Sequence, residues 1–105
     1  MKMLLSLPLL VLSSGCAEAA SEAAWEEFRA TVDAACRDLV KDQVSEPRTL
    51  VDPFGSSSYG LALVTGIPKG GDKEAGFICV YDKASGRAEI GGELDLQPIL
   101  DQMEK

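Results

Sequence analysis

Two cysteines in the body of the chain, Cys36 and Cys79, restrict its fold more than any other feature. Cys36 lies in the middle of a helix-like apolar stripe, and Cys79 lies in a strand-like segment between Phe77 and Tyr81. If the helix packs on that face of the strand, both thiols point into one core. Pairing them would close a loop of about 40 residues and contribute up to about 4 kcal/mol to stability. Two buried, unpaired thiols that behave as small apolar side chains are the alternative.

The segment that follows residue 21 has the pattern of one long amphipathic helix. Ser21 is a suitable N-cap, and acidic side chains follow it where they favour the helix dipole. The apolar side chains recur at steps of three and four residues, and they are Trp25, Phe28, Val32, Cys36 and Leu39. The pattern weakens near Val44. Pro47 disfavours helical geometry in the residue before it, so we expect the helix to end by Glu46.

Three strand-like runs come after a connection, residues 45–57, that is rich in proline, glycine and serine. Residues 59–65, 77–81 and 87–90 predict an antiparallel meander. Asp95 can cap a short terminal helix whose apolar residues are Leu96, Ile99, Leu100 and Met103. The predicted fold is therefore α+β, with one long amphipathic helix packed on a three-stranded antiparallel meander and a short C-terminal helix. It forms a single small domain over residues 22–105.

The composition narrows the functional classes. The chain has no histidine, which removes the commonest general base and the commonest metal ligand. No phosphate-binding loop, nucleophile elbow or zinc motif is present in the sequence. A net charge of −7 argues against nucleic-acid binding, because phosphates require clustered basic side chains. The sequence predicts no catalytic residue, metal site or cofactor. A hydrolase that pairs a serine of residues 56–58 with Lys69 or Lys73 is the enzymatic alternative.

The first sixteen residues have the layout of an export signal. Lys2 supplies a positive start, and residues 3–12 form an apolar run too short to span a bilayer. The sequence Leu12-Ser13-Ser14-Gly15-Cys16 resembles the lipobox of bacterial lipoproteins, in which small residues precede a cysteine that receives a diacylglyceryl group. The resemblance implies a signal peptide over residues 1–15, a lipid on Cys16, and a tether over residues 16–21.

The same resemblance implies attachment to the cell envelope. Ala17 follows the cysteine at the position where an aspartate retains such proteins at the inner membrane, so the outer membrane is favoured. Ordinary cleavage after Ala17-Glu18-Ala19, an A-x-A site, is the alternative. It would discard Cys16 and release a soluble periplasmic or secreted protein.

A second resemblance lies in residues 78–90, which form a strand, a turn at Asp82-Lys83-Ala84-Ser85-Gly86 and another strand. This unit resembles the hairpin of PepSY modules, which are exported α+β domains proposed to inhibit peptidases. The resemblance implies, as an alternative function, a soluble peptidase-inhibitor module.

The predicted sheet has two faces, and one helix covers only one of them. We expect the second face to carry an apolar set that something should cover, made of Ala62, Val64, Ile78 and Val80. A partner protein or a second copy would bind around Val64, Ile78 and Val80, or along the free edge of the sheet. The alternative is that the terminal helix covers this face through Leu96, Ile99 and Leu100. The predicted function is a small lipid-anchored envelope protein that faces the periplasm or the exterior and acts as a non-catalytic accessory or binding module.

The connection before the meander supplies another candidate. Residues 52–55, Asp-Pro-Phe-Gly, lie in a long connection, and such connections are sometimes functional. They predict either a binding loop or a turn that tucks Phe54 into the core.

Overall fold

The computed structural model describes residues 14–104, which form two helices and one antiparallel sheet. The predicted α+β class is confirmed. The elements are helix α1 (Ser14–Val40), strands β1 (Val44–Val51), β2 (Tyr59–Pro68), β3 (Ala75–Asp82), β4 (Ala88–Ile90) and β5 (Leu94–Asp95), and helix α2 (Gln97–Met103). The predicted signal peptide lies outside the described residues except for Ser14 and Gly15.

Helix α1 is longer at its N-terminus than the sequence pattern predicts. It begins at Ser14 rather than at Ser21, and the residues of the predicted tether are helical. Alanine and glutamate dominate this segment, and both are strong helix formers, so nothing in it stops the helix. The buried stripe runs through Val32, Cys36 and Val40, whereas Leu39 is 37% exposed.

The sheet has five strands in the described chain, so the three-stranded prediction is incomplete. The strand order is β1-β2-β3-β4, and β5 pairs with the other half of β3. Strand β1 occupies much of the segment that was expected to be a connection. Glu46 and Pro47 form a bulge opposite Gly66, and Glu46 has a positive φ of 48°. An edge strand tolerates proline and a bulge, because its outer backbone groups need no ladder partner.

The core lies between α1 and one face of the sheet, and a disulfide crosses it. Cys36 and Cys79 are bonded, with their Cα atoms 6.0 Å apart, which confirms the predicted pairing. The buried apolar residues are Val32, Cys36, Val40, Val44, Ala62, Val64, Ala75, Phe77 and Cys79. The helix approaches β2 closely at Gly60, where an added Cβ would lie 2.7 Å from the Val32 side chain.

The register of β2 on β3 corrects the predicted second face. Val64 pairs with Phe77 and Ala62 pairs with Cys79, so both β2 residues face α1 and are buried. Only Ile78 and Val80 of the expected set lie on the side turned away from α1. Their neighbours there are the odd-numbered residues of β2 and Leu50 of β1. We call this side the outer face and define it by Leu50, Leu61, Leu63, Ile78 and Val80.

Reduction of the disulfide should destabilise the domain by about 2–4 kcal/mol, because the bond closes a long loop in the unfolded chain. Urea unfolding of the natively exported protein, with and without reductant, measures the loss. The control is the Cys36→Ala/Cys79→Ala variant, whose unfolding midpoint should not respond to reductant. Labelling of two free thiols in the unfolded, unreduced protein would contradict the pairing.

Candidate functional site

The outer face is apolar and open to solvent. Leu50 is 72% exposed and Ile78 is 56% exposed, while Leu61, Leu63 and Val80 are half-buried among their neighbours. Cross-strand pairing places Leu50 beside Leu63 and Leu63 beside Ile78, so these side chains form one continuous patch across three strands. A contiguous exposed apolar patch of this kind marks an interaction surface more often than isolated exposed leucines do.

A groove of about 480 Å³ runs along this patch beside β1. Its apolar wall consists of Leu50, Leu61, Leu63 and Ile78, and Asp52 and Pro53 line it at the end of β1. The groove is therefore bounded by apolar side chains with one carboxylate at its margin. Asp52 makes no ion pair within residues 14–104; its Oδ1 accepts hydrogen bonds from the backbone N–H groups of Phe54 and Gly55.

Helix α2 does not cover the outer face. None of its residues is buried, and Ile99 and Met103 are 60% and 76% exposed. Leu96, which precedes α2, reaches only the end of the face at Gly76, where an added Cβ would lie 2.9 Å from the leucine. The alternative that the terminal segment covers this side through Leu96, Ile99 and Leu100 therefore holds for Leu96, at the end of the face, and is wrong for Ile99 and Leu100.

The edge of the sheet next to the groove has unpaired backbone groups. Asp52 donates its N–H to the carbonyl of Leu61 over 2.8 Å, which makes Val51 and Ala62 a non-hydrogen-bonded pair. By the same alternation, Thr49 and Val51 direct their N–H and C=O groups away from β2. No backbone partner for these groups occurs within residues 14–104. Strand β1 thus presents two donors and two acceptors along its free side.

A polar contact fixes β1 against the helix. The Thr49 hydroxyl donates to the carboxylate of Asp33, which also accepts two hydrogen bonds from Arg37, at 2.7 and 3.2 Å. Hydrogen bonding from Arg37 holds the pKa of Asp33 below its ordinary value, against partial burial that raises it, and Thr49 adds to the lowering. The ionised carboxylate therefore helps to hold the edge strand in place.

The predicted binding loop is packed onto α1. The ring of Phe54 lies edge-on to Trp25, with 5.0 Å between centroids, and remains 53% exposed. Lys83 donates to the carbonyls of Phe54 and Ser56 over 3.0 and 2.7 Å, and its Nζ lies 5.6 Å from the centre of the Trp25 ring. These contacts join the loop, the β3–β4 turn and the helix. The loop is therefore packed against α1 and does not form an open pocket.

The serine and lysine residues of the hydrolase alternative lie at opposite ends of β2. Residues 56–58 precede this strand, whereas Lys69 follows it and Lys73 comes just before β3 at the same end. A strand of this length spans about 30 Å. The Ser56 hydroxyl instead bonds to the backbone of Tyr59. At that separation the serine hydroxyls and the lysine amines are not brought together, and no proton can pass directly between them.

A cavity of about 690 Å³ lies between the C-terminal half of α1 and the β1 bulge. Both of its guanidinium groups are neutralised, Arg37 by Asp33 and Arg48 by Glu74. Among the described residues, no cluster of three potential metal ligands occurs. No helix within them combines the length and hydrophobicity that a membrane span requires.

The chain matches no protein-family model, no curated protein and no solved structure.

Several residues of this site escaped the sequence pattern. Leu50 lies in the strand that was assigned to a connection, although the run Thr49-Leu50-Val51 has the β-branched character of a strand. Of the predicted surface residues, Ile78 and Val80 lie on the outer face, whereas Val64 is in the core. Cys16, the predicted lipid site, lies near the start of α1.

The Asp33 contact predicts a pH dependence of stability. Its folded pKa lies below the unfolded value of about 3.9, so its contribution is present above that value and disappears as pH falls through the folded pKa. The difference in unfolding free energy between the wild type and Asp33→Asn should be present at pH 6 and shrink below about pH 4. Urea titrations across this range measure it, with Asp42→Asn, which replaces a solvent-exposed carboxylate, as the control. A constant difference would contradict the prediction.

Proposed function

We propose that this chain is a non-catalytic binding module, tethered to an envelope membrane by lipid on Cys16, that holds a partner protein on its outer face. The single observation that carries the proposal is the continuous apolar patch around Leu50 and Ile78, which neither helix covers. A sheet that only needs to fold places polar side chains on its solvent side. Exposed leucine and isoleucine at these positions favour a surface that is buried in a complex.

The chemistry of the remaining surface supports a binding role over a catalytic one. The side chains with shifted pKa values are Asp33, Arg37 and Lys41. Asp33 pairs with Arg37 on α1, and Lys41, just after α1, pairs with Asp38. None of them lines the outer groove. Catalytic sites, in contrast, bring perturbed groups together in a cleft. The groove offers apolar contact area and backbone groups, which are the components of protein recognition.

Charged substitutions on the outer face should abolish partner binding without unfolding the domain. Leu50→Asp and Ile78→Asp each place a carboxylate where it stays hydrated in the free protein but would be buried in the complex. Affinity capture from membranes, with a photo-crosslinker at position 61, measures the binding. The matched control is Met103→Asp, which changes an equally exposed apolar residue on α2. Equal crosslinking by all three variants would overturn the proposal.

Lipid on Cys16 should place the protein in the membrane fraction. Intact-mass analysis of the mature protein should show added acyl mass on a chain that begins at residue 16. Cys16→Ser should remain unprocessed or become soluble, whereas Ser14→Ala, a neighbouring small-residue change, should be processed normally. A soluble, unmodified mature protein that begins at Ala20 would show that ordinary signal cleavage occurs instead.

A further inference from the structure

Resting on the proposed function, we infer that the free edge of β1 binds an extended, basic segment of the partner protein as an added antiparallel strand. The added strand would form hydrogen bonds with Thr49 and Val51 and place an apolar side chain beside Leu50. Recognition by strand addition uses the main chain for affinity and alternate side chains for specificity. The free edge of β1 offers both unpaired main-chain groups and a groove that can hold alternate side chains.

The backbone provides the first requirement. Thr49 and Val51 turn their N–H and C=O groups outward, as the hydrogen bond from Asp52 to Leu61 establishes for this register. An antiparallel strand opposite them would gain four hydrogen bonds. Its residue opposite Leu50 would form the non-hydrogen-bonded pair, in which side chains approach most closely.

The groove provides the second requirement. A residue opposite Leu50 directs its side chain to the same face as Leu50, because cross-strand partners share a face. That face is the outer one, and the groove beside β1 is lined by Leu50, Leu61 and Ile78. The segment should therefore carry an apolar residue at this central position. Its two neighbours, which donate and accept the backbone hydrogen bonds, face the other way.

The ends of the edge limit the length of the segment. At one end, Glu46 and Pro47 form the bulge, and Pro47 lacks an N–H group. At the other end, the strand stops at Val51, before Pro53. Only the stretch from Arg48 to Asp52, about 17 Å long, can pair.

This short edge disfavours a second copy as the occupant. Two copies joined through β1 would pair over about 17 Å only, whereas a stable interface buries about 800 Å² on each partner. Such a dimer would also leave the two outer faces side by side and exposed. Each copy carries a net charge of −7, so two copies repel one another.

The negative charge of this chain instead favours a basic segment of a partner protein as the occupant of the edge. The carboxylate of Asp52 lines the groove and forms no ion pair within the described chain. Arg48, the basic side chain on β1, is already paired with Glu74. A lysine or arginine of the partner segment near Asp52 would neutralise the free carboxylate and would approach a strongly acidic protein favourably.

The test uses the natively exported, full protein and the capped peptide Lys-Thr-Val-Thr-Lys, whose lysines share the face of the central valine and of Asp52. With the central valine opposite Leu50, its threonines supply the pairing backbone groups. N-methylation of the threonines should weaken binding about tenfold or more, because it removes donors to β1. N-methylation of the valine should leave binding nearly unchanged, since its N–H group faces away. Fluorescence anisotropy of the labelled peptides measures both affinities.

Hydrogen exchange locates the bound strand. Peptide binding should slow exchange at the amides of Thr49 and Val51 and leave those of β4, at the opposite edge, unchanged. Replacing the terminal lysines of the peptide by glutamates should weaken binding. Equal affinity of the two methylated peptides, or protection at β4 instead, would overturn the inference.

Two further results would also overturn it. Concentration-dependent protection of Thr49 and Val51 without peptide, together with a dimer in sedimentation, would assign the edge to a second copy. Failure of the peptide to bind while partner crosslinking from the outer face persists would remove the strand-addition mode and leave the proposed function standing. If the wild-type protein captures no partner by crosslinking from the outer face, the proposed function itself is refuted.

Discussion

The covalent bond between Cys36 and Cys79 is the constraint on which the other features of this domain depend. It joins the middle of α1 to the middle of β3 and thereby sets which face of the sheet the helix covers. The core around it consists mostly of valine, alanine and cysteine, with Phe77 as the one large side chain among the buried residues described. Such a core buries little area per residue, and a domain of this size is marginal without a cross-link.

Covering one face leaves the other available. The helix and the disulfide occupy the side of Val64 and Phe77, and α2 is too short and too exposed to shield the opposite side. The outer face is exposed because the one long helix packs only against the opposite face of the sheet. The surface proposed for partner binding is therefore one that the helix and the disulfide leave free.

The sequence predicts the individual helices and strands better than it predicts which residues of neighbouring strands pair. Alternation along 59–65 and 77–81 identified two strands and their two faces, and the cysteines identified the helix-facing side of β3. The register between the strands depends on the turn at residues 69–74 and cannot be read from alternation, because a shift of one residue exchanges the faces. The sequence pattern therefore places Val64 on the exposed face of the sheet, although its side chain is buried. The sequence pattern does not predict β1, because Pro47 and the bulge at Glu46 give this edge strand the composition of a loop.

Helix α1 continues without interruption from Ser14 to Val40, and its exposed residues 21–24 precede the first aromatic contact at Trp25. If Cys16 carries the proposed lipid, this helix would act as a rigid spacer rather than as a flexible linker. The stretch from Cys16 to Trp25 is about 14 Å long at a helical rise of 1.5 Å per residue. Any tilt of the helix relative to the bilayer would be transmitted directly to the sheet, so the direction in which β1 faces would be set at the anchor. A partner would then meet this edge at a fixed height and angle above the lipid headgroups.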